Sequence, residues 1–209
     1  MAQILQMQGI AKHFGGVATL KGVDFAIASG EVVGLVGENG AGKSTLMKVL
    51  GGVYQPDAGT VSIAGIPVRI HSVADAINRG IAFIHQELNV LDNLDLAANV
   101  FLGREPVRGG FLRLIDRKKM HADTQVYLKR LGLHVPTTTL LGSLSIAQQQ
   151  MVEIAKALSL SAGILIMDEP TSSLTLSETA RLLEVVKEVR TQGVAIIYIS
   201  HRMEEILKI

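Results

Sequence analysis

Two short stretches carry residue types and spacings that suit phosphate chemistry. "GENGAGKST" covers residues 37–45 and sets Gly37, Gly42, Lys43 and Ser44 at the spacing G-x-x-x-x-G-K-[ST]. Glycines let backbone N–H groups turn inward around an anion. Lys43 can reach terminal phosphates, the Ser44 hydroxyl can hold Mg²⁺, and Thr45 adds a second hydroxyl. Glu38, Asn39, Gly40 and Ala41 complete the loop. "ILIMDEPTSS" (164–173) puts Asp168 and Glu169 at the end of an apolar run. An aspartate there can help hold Mg²⁺ through water, and the next glutamate can polarise a water for attack on phosphorus.

These groups need a rigid frame. "EVVGLV" reads as a strand leading into the glycine loop, and a helix over Ser44–Leu50 follows it, so its positive end faces the phosphates. "ILQMQG", "VDFAIASGEVVGLVG" and "GTVSIAGIPV" also read as strands. "IAFIHQ" (81–86), "GILIMDEP" (163–170) and "VAIIYISH" (194–201) are short apolar runs ending in polar groups, the pattern of buried parallel strands with functional residues at their C-terminal ends. Ser177–Arg190 carries apolar residues at helical spacing. From about 88 to 160 the sequence is helical in pattern without a convincing strand, which predicts a helical subdomain inserted between strands of an α/β core. "GREPVRGGFLR" (103–113) reads as a mobile loop.

The totals narrow the class. With 209 residues, 48% of them hydrophobic, the chain can bury a real core. Twenty Lys plus Arg against 19 Asp plus Glu argue against a protein held to nucleic acid by bulk charge. The absence of cysteine excludes disulfide scaffolds and thiolate metal sites. No run approaches the ~20 apolar residues of a membrane helix, and the N-terminus lacks the pattern of a signal peptide.

In the order in which they occur, the motifs resemble those of the ATP-binding domain of ABC transporters. Phe14 matches the aromatic on which adenine stacks. Gln86 matches the glutamine that senses Mg²⁺ and the membrane subunit. "LSIAQQQ" (144–150) occupies the signature position, Asp168 and Glu169 match the metal-holding aspartate and catalytic glutamate, and His201 matches the histidine that contacts the terminal phosphate. "HQELNVLDNLDLAANVFLGRE", "LSIAQQQMVEIAKALS" and "SHRMEEI" are similar to the ATPases of bacterial importers of ribose, galactose and xylose. In that class two such domains share one polypeptide, and this chain resembles the N-terminal one.

The resemblance implies an α/β P-loop NTPase core with an antiparallel β subdomain and an inserted helical subdomain. It divides the chain into a nucleotide-binding core over 1–87 and 161–209 and a helical subdomain over 88–160. The implied catalytic residues are Glu169, His201 and Lys43, with Ser44, Gln86 and Asp168 on the metal. The implied cofactors are ATP and Mg²⁺. The implied partners are transmembrane permease subunits, a second ATPase domain arranged head to tail (fused or a second copy), and indirectly a sugar-binding protein, with no nucleic acid. The implied location is the cytoplasmic face of the bacterial membrane. In such a pair Ser145 and the helix it caps bind the terminal phosphate of the partner domain's ATP, and the glutamines offer neutral hydrogen bonds there.

Two departures from the family pattern bear on that cross-domain contact. Ile146 and Ala147 stand where the family has two glycines, and Thr175 stands where it has an aspartate linking the two sites. Ile146 and Thr175 give a motive for an alternative, a domain that binds ATP with little turnover. A soluble, non-transport ABC ATPase would need coiled-coil insertions or basic surfaces. A P-loop kinase would not require the signature or His201. The final "HRMEEILKI" stops inside a helical pattern, where domains of this family continue, so the resemblance implies a fragment lacking a second ATPase half. The remaining histidines lack metal-ligand spacing, and "DRKKMH" with the nearby arginines reads as a solvated helix face, a phospholipid or membrane-subunit contact being the alternative. Met151, Ile154, Ala155 and Leu158 read as a core stripe.

Overall fold

Apolar runs form strands and amphipathic stretches form helices in a computed structural model that describes residues 3–38, 40–85 and 88–209. The elements are β1 (Gln3–Phe14), β2 (Val17–Ala28), β3 (Val32–Leu35), α1 (Lys43–Leu50), β4 (Ala58–Ile63), β5 (Ile66–Val68), α2 (Val73–Asn78) and β6 (Ile81–Ile84). They continue with α3 (Leu96–Val100), β7 (Val107–Arg108), β8 (Leu114–Ile115), α4 (Arg117–Arg130) and α5 (Ile146–Leu158). The last are β9 (Ile164–Asp168), α6 (Leu176–Thr191), β10 (Ala195–Ile199) and α7 (Met203–Ile206). The chain divides into two units. One comprises Met1–Phe83, Ala162–Glu169 and Val186–Ile209, and the other comprises Ile84–Ser161 and Pro170–Val185.

The first unit holds two sheets. An antiparallel sheet has the order β2-β1-β4-β5, and a second has the order β3-β10-β9-β6. In the second, β10 runs parallel to both β3 and β9. All five residues of β10, and Ile164–Met167 of β9, are buried, which is why these segments read as unbroken apolar runs. On β1, by contrast, Leu5, Met7 and Ile10 are buried between exposed or half-buried neighbours. These three join Leu46, Met47 and Leu50 of α1, Ile166 of β9 and Ile197 of β10 in one core. The helix that carries the glycine loop is therefore seated on both sheets by its apolar face.

In the second unit α3, α4 and α5 pack on one another. Their buried residues include Leu96, Val100, Met120, Leu128, Met151 and Ile154. Of the expected core stripe, Met151, Ile154 and Ala155 are buried and Leu158 is only half-buried. Asn99 is buried and ties down the segment before its own helix. Its Oδ1 accepts from Leu91 N (2.8 Å), and its Nδ2 donates to the carbonyls of Leu91, Leu94 and Asp95. The segment 103–113, expected to be a loop, contains part of a small hairpin in which Val107 pairs with Ile115 and Arg108 with Leu114. Two-residue strands are too short to produce a period in the sequence.

Candidate nucleotide site

Three strands end level on one edge of the parallel sheet. Leu35 of β3 is in register with Ile199 of β10, and Ile199 with Asp168 of β9. The glycine loop, Glu169 and His201 therefore leave the sheet along the same edge, at the carboxyl ends of adjacent strands, where open α/β sheets bind ligands. The loop reaches α1 through Gly40 and Gly42, at φ 87° and 88°, a region that side chains with a Cβ seldom adopt. Gly42 caps α1 through its carbonyl, which accepts from Leu46 N at 2.9 Å. Lys43 Nζ folds back over the loop and donates to the carbonyls of Gly37 (2.5 Å) and Glu38 (2.8 Å). Its charge is held at the mouth of the cradle. Asn39 and Gln86 lie outside the described residues.

Asp168 and Glu169 are consecutive but differently placed. Burial pushes the Asp168 carboxyl above its ordinary value and the charge of Glu169 adds to the effect, while Lys48 and Lys43 oppose it. Glu169 has φ 46°, a left-handed conformation that costs a non-glycine residue about 1–3 kcal/mol. Its N–H donates to Ile199 O (2.9 Å), which fixes the turn, and its Oε1 lies 3.1 Å from His201 Nδ1. The segment carrying His201 is braced from below: the buried Tyr198 hydroxyl donates to Glu205 Oε2 (3.0 Å), and Arg202 N donates to Ser200 Oγ (2.9 Å).

The raised Asp168 value gives a signed prediction. The folded chain holds that proton more tightly than the unfolded chain, so stability falls as pH rises from the ordinary value of 3.8 through the folded one. Without nucleotide or divalent cation, Asp168→Asn is expected to melt above the wild type at pH 7, with the gap narrowing towards pH 4. Thermal melts across that range check the sign.

Phe14, 40% exposed, meets Tyr54 edge to face with ring centroids 5.0 Å apart. Lys12 Nζ lies 5.6 Å from the Phe14 ring and Lys48 Nζ 5.9 Å from the Tyr54 ring. Asp57 anchors this corner. Hydrogen bonds from Lys12 and from the backbone and ring of His13 hold its carboxyl down at about 2. Sequence reading missed Tyr54 and Asp57, because their contacts with 12–14 join residues some forty positions apart.

In the second unit Ser145 is the N-cap of α5. Its Oγ accepts from Gln148 N (3.3 Å) and Gln148 Oε1 accepts from Ser145 N (3.1 Å), a reciprocal capping box. Gln149 Nε2 donates to the carbonyls of Leu141 and Leu144. Gln148 and Gln149 thus shape the helix tip internally, where the resemblance implies hydrogen bonds outward to a phosphate. The Ser145 hydroxyl hydrogen is not used by the cap. Ile146, 63% exposed, leads the helix. At the far end of α5, Lys156 Nζ donates to Asn89 O (2.9 Å) and lies 3.7 Å from the buried Glu153 carboxylate, which burial pushes up. Thr175 is also a cap: its hydroxyl donates to Glu178 Oε2 (2.7 Å), and Glu178 N donates back to Thr175 Oγ1 (3.3 Å) at the start of α6. Among the described residues, no group of three His, Cys, Asp or Glu side chains could hold a metal by itself, and no helix is long and apolar enough to cross a membrane.

A glycine loop between a buried strand and a helix, with carboxylates at the end of a parallel strand in the same sheet, defines a P-loop NTPase fold. The chain belongs to the ABC transporter family, whose model matches residues 20–172. It is similar to the ribose import ATP-binding protein RbsA of Caldanaerobacter subterraneus subsp. tengcongensis, 51% identical over 100% of this chain and 42% of that protein. It is also similar to the galactose/methyl galactoside import ATP-binding protein MglA 1 of Photobacterium profundum, 48% identical over 99% of this chain and 41% of that protein. The chain thus spans about two fifths of the length of these curated relatives. Among solved structures, an ATP-binding cassette of an ABC transporter in its ADP conformation superposes with TM-score 0.85 at 26% identity, covering 99% of this chain and 84% of that one.

Proposed function

We propose that this chain is an ATP-hydrolysing domain that powers import of a monosaccharide through an ABC transporter. The observation that carries the reading is the level edge on which Leu35, Ile199 and Asp168 end, which brings Lys43, Asp168, Glu169 and His201 out on one side of one sheet. The loop amides and Lys43 bind and orient the β- and γ-phosphates, and Phe14, backed by Tyr54, stacks on the base. The donor set suits Mg²⁺: one hydroxyl (Ser44) and one half-buried carboxylate (Asp168), which leave the remaining positions to waters and phosphate oxygens. Gln86 would join them. When bound, Mg²⁺ supplies charge neutralisation on the phosphate oxygens. Glu169 accepts the proton of the attacking water, and His201 holds the Glu169 carboxylate and meets the terminal phosphate.

In this reading 1–87 and 161–209 form the catalytic core, and 88–160 the helical subdomain that presents Ser145. The Ser145 hydroxyl and the first N–H groups of α5 complete the site of a second ATPase domain, fused or a second copy. The partners are permease subunits, served indirectly by a sugar-binding protein, at the cytoplasmic face of the bacterial membrane. The names and sequence identities of the relatives support the choice of a monosaccharide. The expected result is that phosphate release per chain rises with chain concentration and that Ser145→Arg removes the rise. Turnover per chain that is constant over the same range would defeat the cross-domain role of Ser145. Sugar uptake into vesicles holding the complete transporter, unchanged when Lys43→Ala is introduced, would defeat the transport role.

A further inference from the structure

Residues 103–118 are not used by the nucleotide chemistry, yet they expose an unusual surface. In the hairpin β7–β8, Val107, Leu114 and Ile115 are each about half exposed, and between the strands lie Leu112 and Phe111, the latter 92% exposed. Val107 and Ile115 form one cross-strand pair and Arg108 and Leu114 the next, so apolar side chains occupy both faces of the ribbon. A two-stranded hairpin with both faces uncovered gains little stability by itself, and clustered exposed apolar residues of this kind mark contact surfaces.

The charges beside it are of one sign. Arg108, Arg113, Arg117 and Lys118 are exposed, and none of them is ion-paired among the described residues. The two nearby acids are taken up locally: Glu105 Oε1 accepts from Gly103 N, and Asp116 Oδ1 caps α4 by accepting from Lys119 N. Lys119 is itself paired with Asp123. An apolar turn flanked by unpaired cations complements a surface that is negative at its face and apolar just beneath it. The turn is narrow, closed through Gly109, Gly110 and Arg113 at positive φ, and offers no broad shape for a folded partner to match. A fluid surface needs none.

We propose that the hairpin 107–115, with the start of α4, is a membrane-contact site that takes anionic phospholipid: Phe111 and Leu112 enter the acyl boundary, and Arg108, Arg113 and Arg117 meet lipid phosphates. This surface is independent of the nucleotide reading and is tested without nucleotide. The chain has no tryptophan, so Phe111→Trp in the full chain provides a single reporter. With phosphatidylglycerol-containing vesicles its emission is expected to shift to shorter wavelength, and the shift weakens as ionic strength rises. Pure phosphatidylcholine vesicles give little shift. In sedimentation with the same vesicles, each of Arg108→Gln, Arg113→Gln and Arg117→Gln lowers binding about fivefold, and Phe111→Ser lowers it at least about tenfold. No shift with anionic vesicles at low salt overturns the proposal. So does a shift that arises only on adding detergent-solubilised permease, which would assign the hairpin to a protein contact, or only on raising chain concentration, which would assign it to self-association.

Discussion

Replacing Glu169 by glutamine is expected to lower ATP turnover about 10²–10⁴-fold, the range for loss of a positioned general base. The substitution is almost isosteric, which makes it informative. The φ of 46°, the hydrogen bond from residue 169 N–H to Ile199 O, and a hydrogen-bonding atom facing His201 Nδ1 can all be kept by glutamine. Only the ability to take a proton from water is lost. The nearby charge that adds to the upward push on the Asp168 carboxyl is lost as well, so that carboxylate ionises more readily and meets a cation more easily. Nucleotide affinity should therefore be kept or increased while kcat collapses, the pattern of an interaction made only in the transition state. Phosphate release together with nucleotide binding on the same variant checks both halves. A Gln variant with wild-type turnover would show that another group takes the proton.

His201→Ala separates two ways in which this pair can act. If the histidine works mainly by holding the Glu169 carboxylate, the double variant Glu169→Gln/His201→Ala is no slower than Glu169→Gln alone. If it stabilises phosphate charge independently, the two losses multiply. The 3.1 Å contact and the bracing of Tyr198 by Glu205 favour the first outcome.

The parts of this site that were legible in the sequence are those whose chemistry requires neighbouring residues. A phosphate cradle needs glycines, lysine and serine within one turn, so residues 37–45 display it whole. Buried parallel strands read as apolar runs because both of their faces are covered, as in β9 and β10. What stayed hidden depends on distant contacts or on very short elements. Tyr54 supports Phe14 across the fold, and Asn99 fixes a loop through four hydrogen bonds that no period reveals. Thr175 was legible in a different way. Thr-Leu-Ser-Glu at 175–178 is a capping box in plain view, and this local role accounts for Thr175 without the linking function of the family aspartate. The glutamines of "LSIAQQQ" show the same effect, because the requirements of a helix tip account for Gln148 and Gln149 before any ligand is considered.

The second large effect concerns the support of α1. Gly52, at φ 74°, ends the turn after that helix and donates to Val49 O at 3.1 Å. A Cβ built there would lie 2.4 Å from Ser72 O and 2.5 Å from Ser72 C, which are backbone atoms that cannot rotate away. Ser72 in turn caps α2 by accepting from Asp75 N. Gly52→Ala thus combines a left-handed Ala, about 1–2 kcal/mol, with forced overpacking, about 1–3 kcal/mol. The expected loss is about 2–5 kcal/mol, or roughly 4–20 °C in Tm for a chain of this size. Gly65 provides the control: it has a similar φ of 77° but nothing within 4 Å of an added Cβ, so Gly65→Ala should cost only the conformational part. Urea melts of the two variants separate the contributions. The larger loss at Gly52 should also weaken nucleotide binding, because Val53 and Tyr54 hang from Lys48 O in the same turn and Tyr54 backs the Phe14 ring. Equal losses at the two glycines would mean that the backbone at Ser72 yields freely, and that the α1 support is softer than its backbone contacts imply.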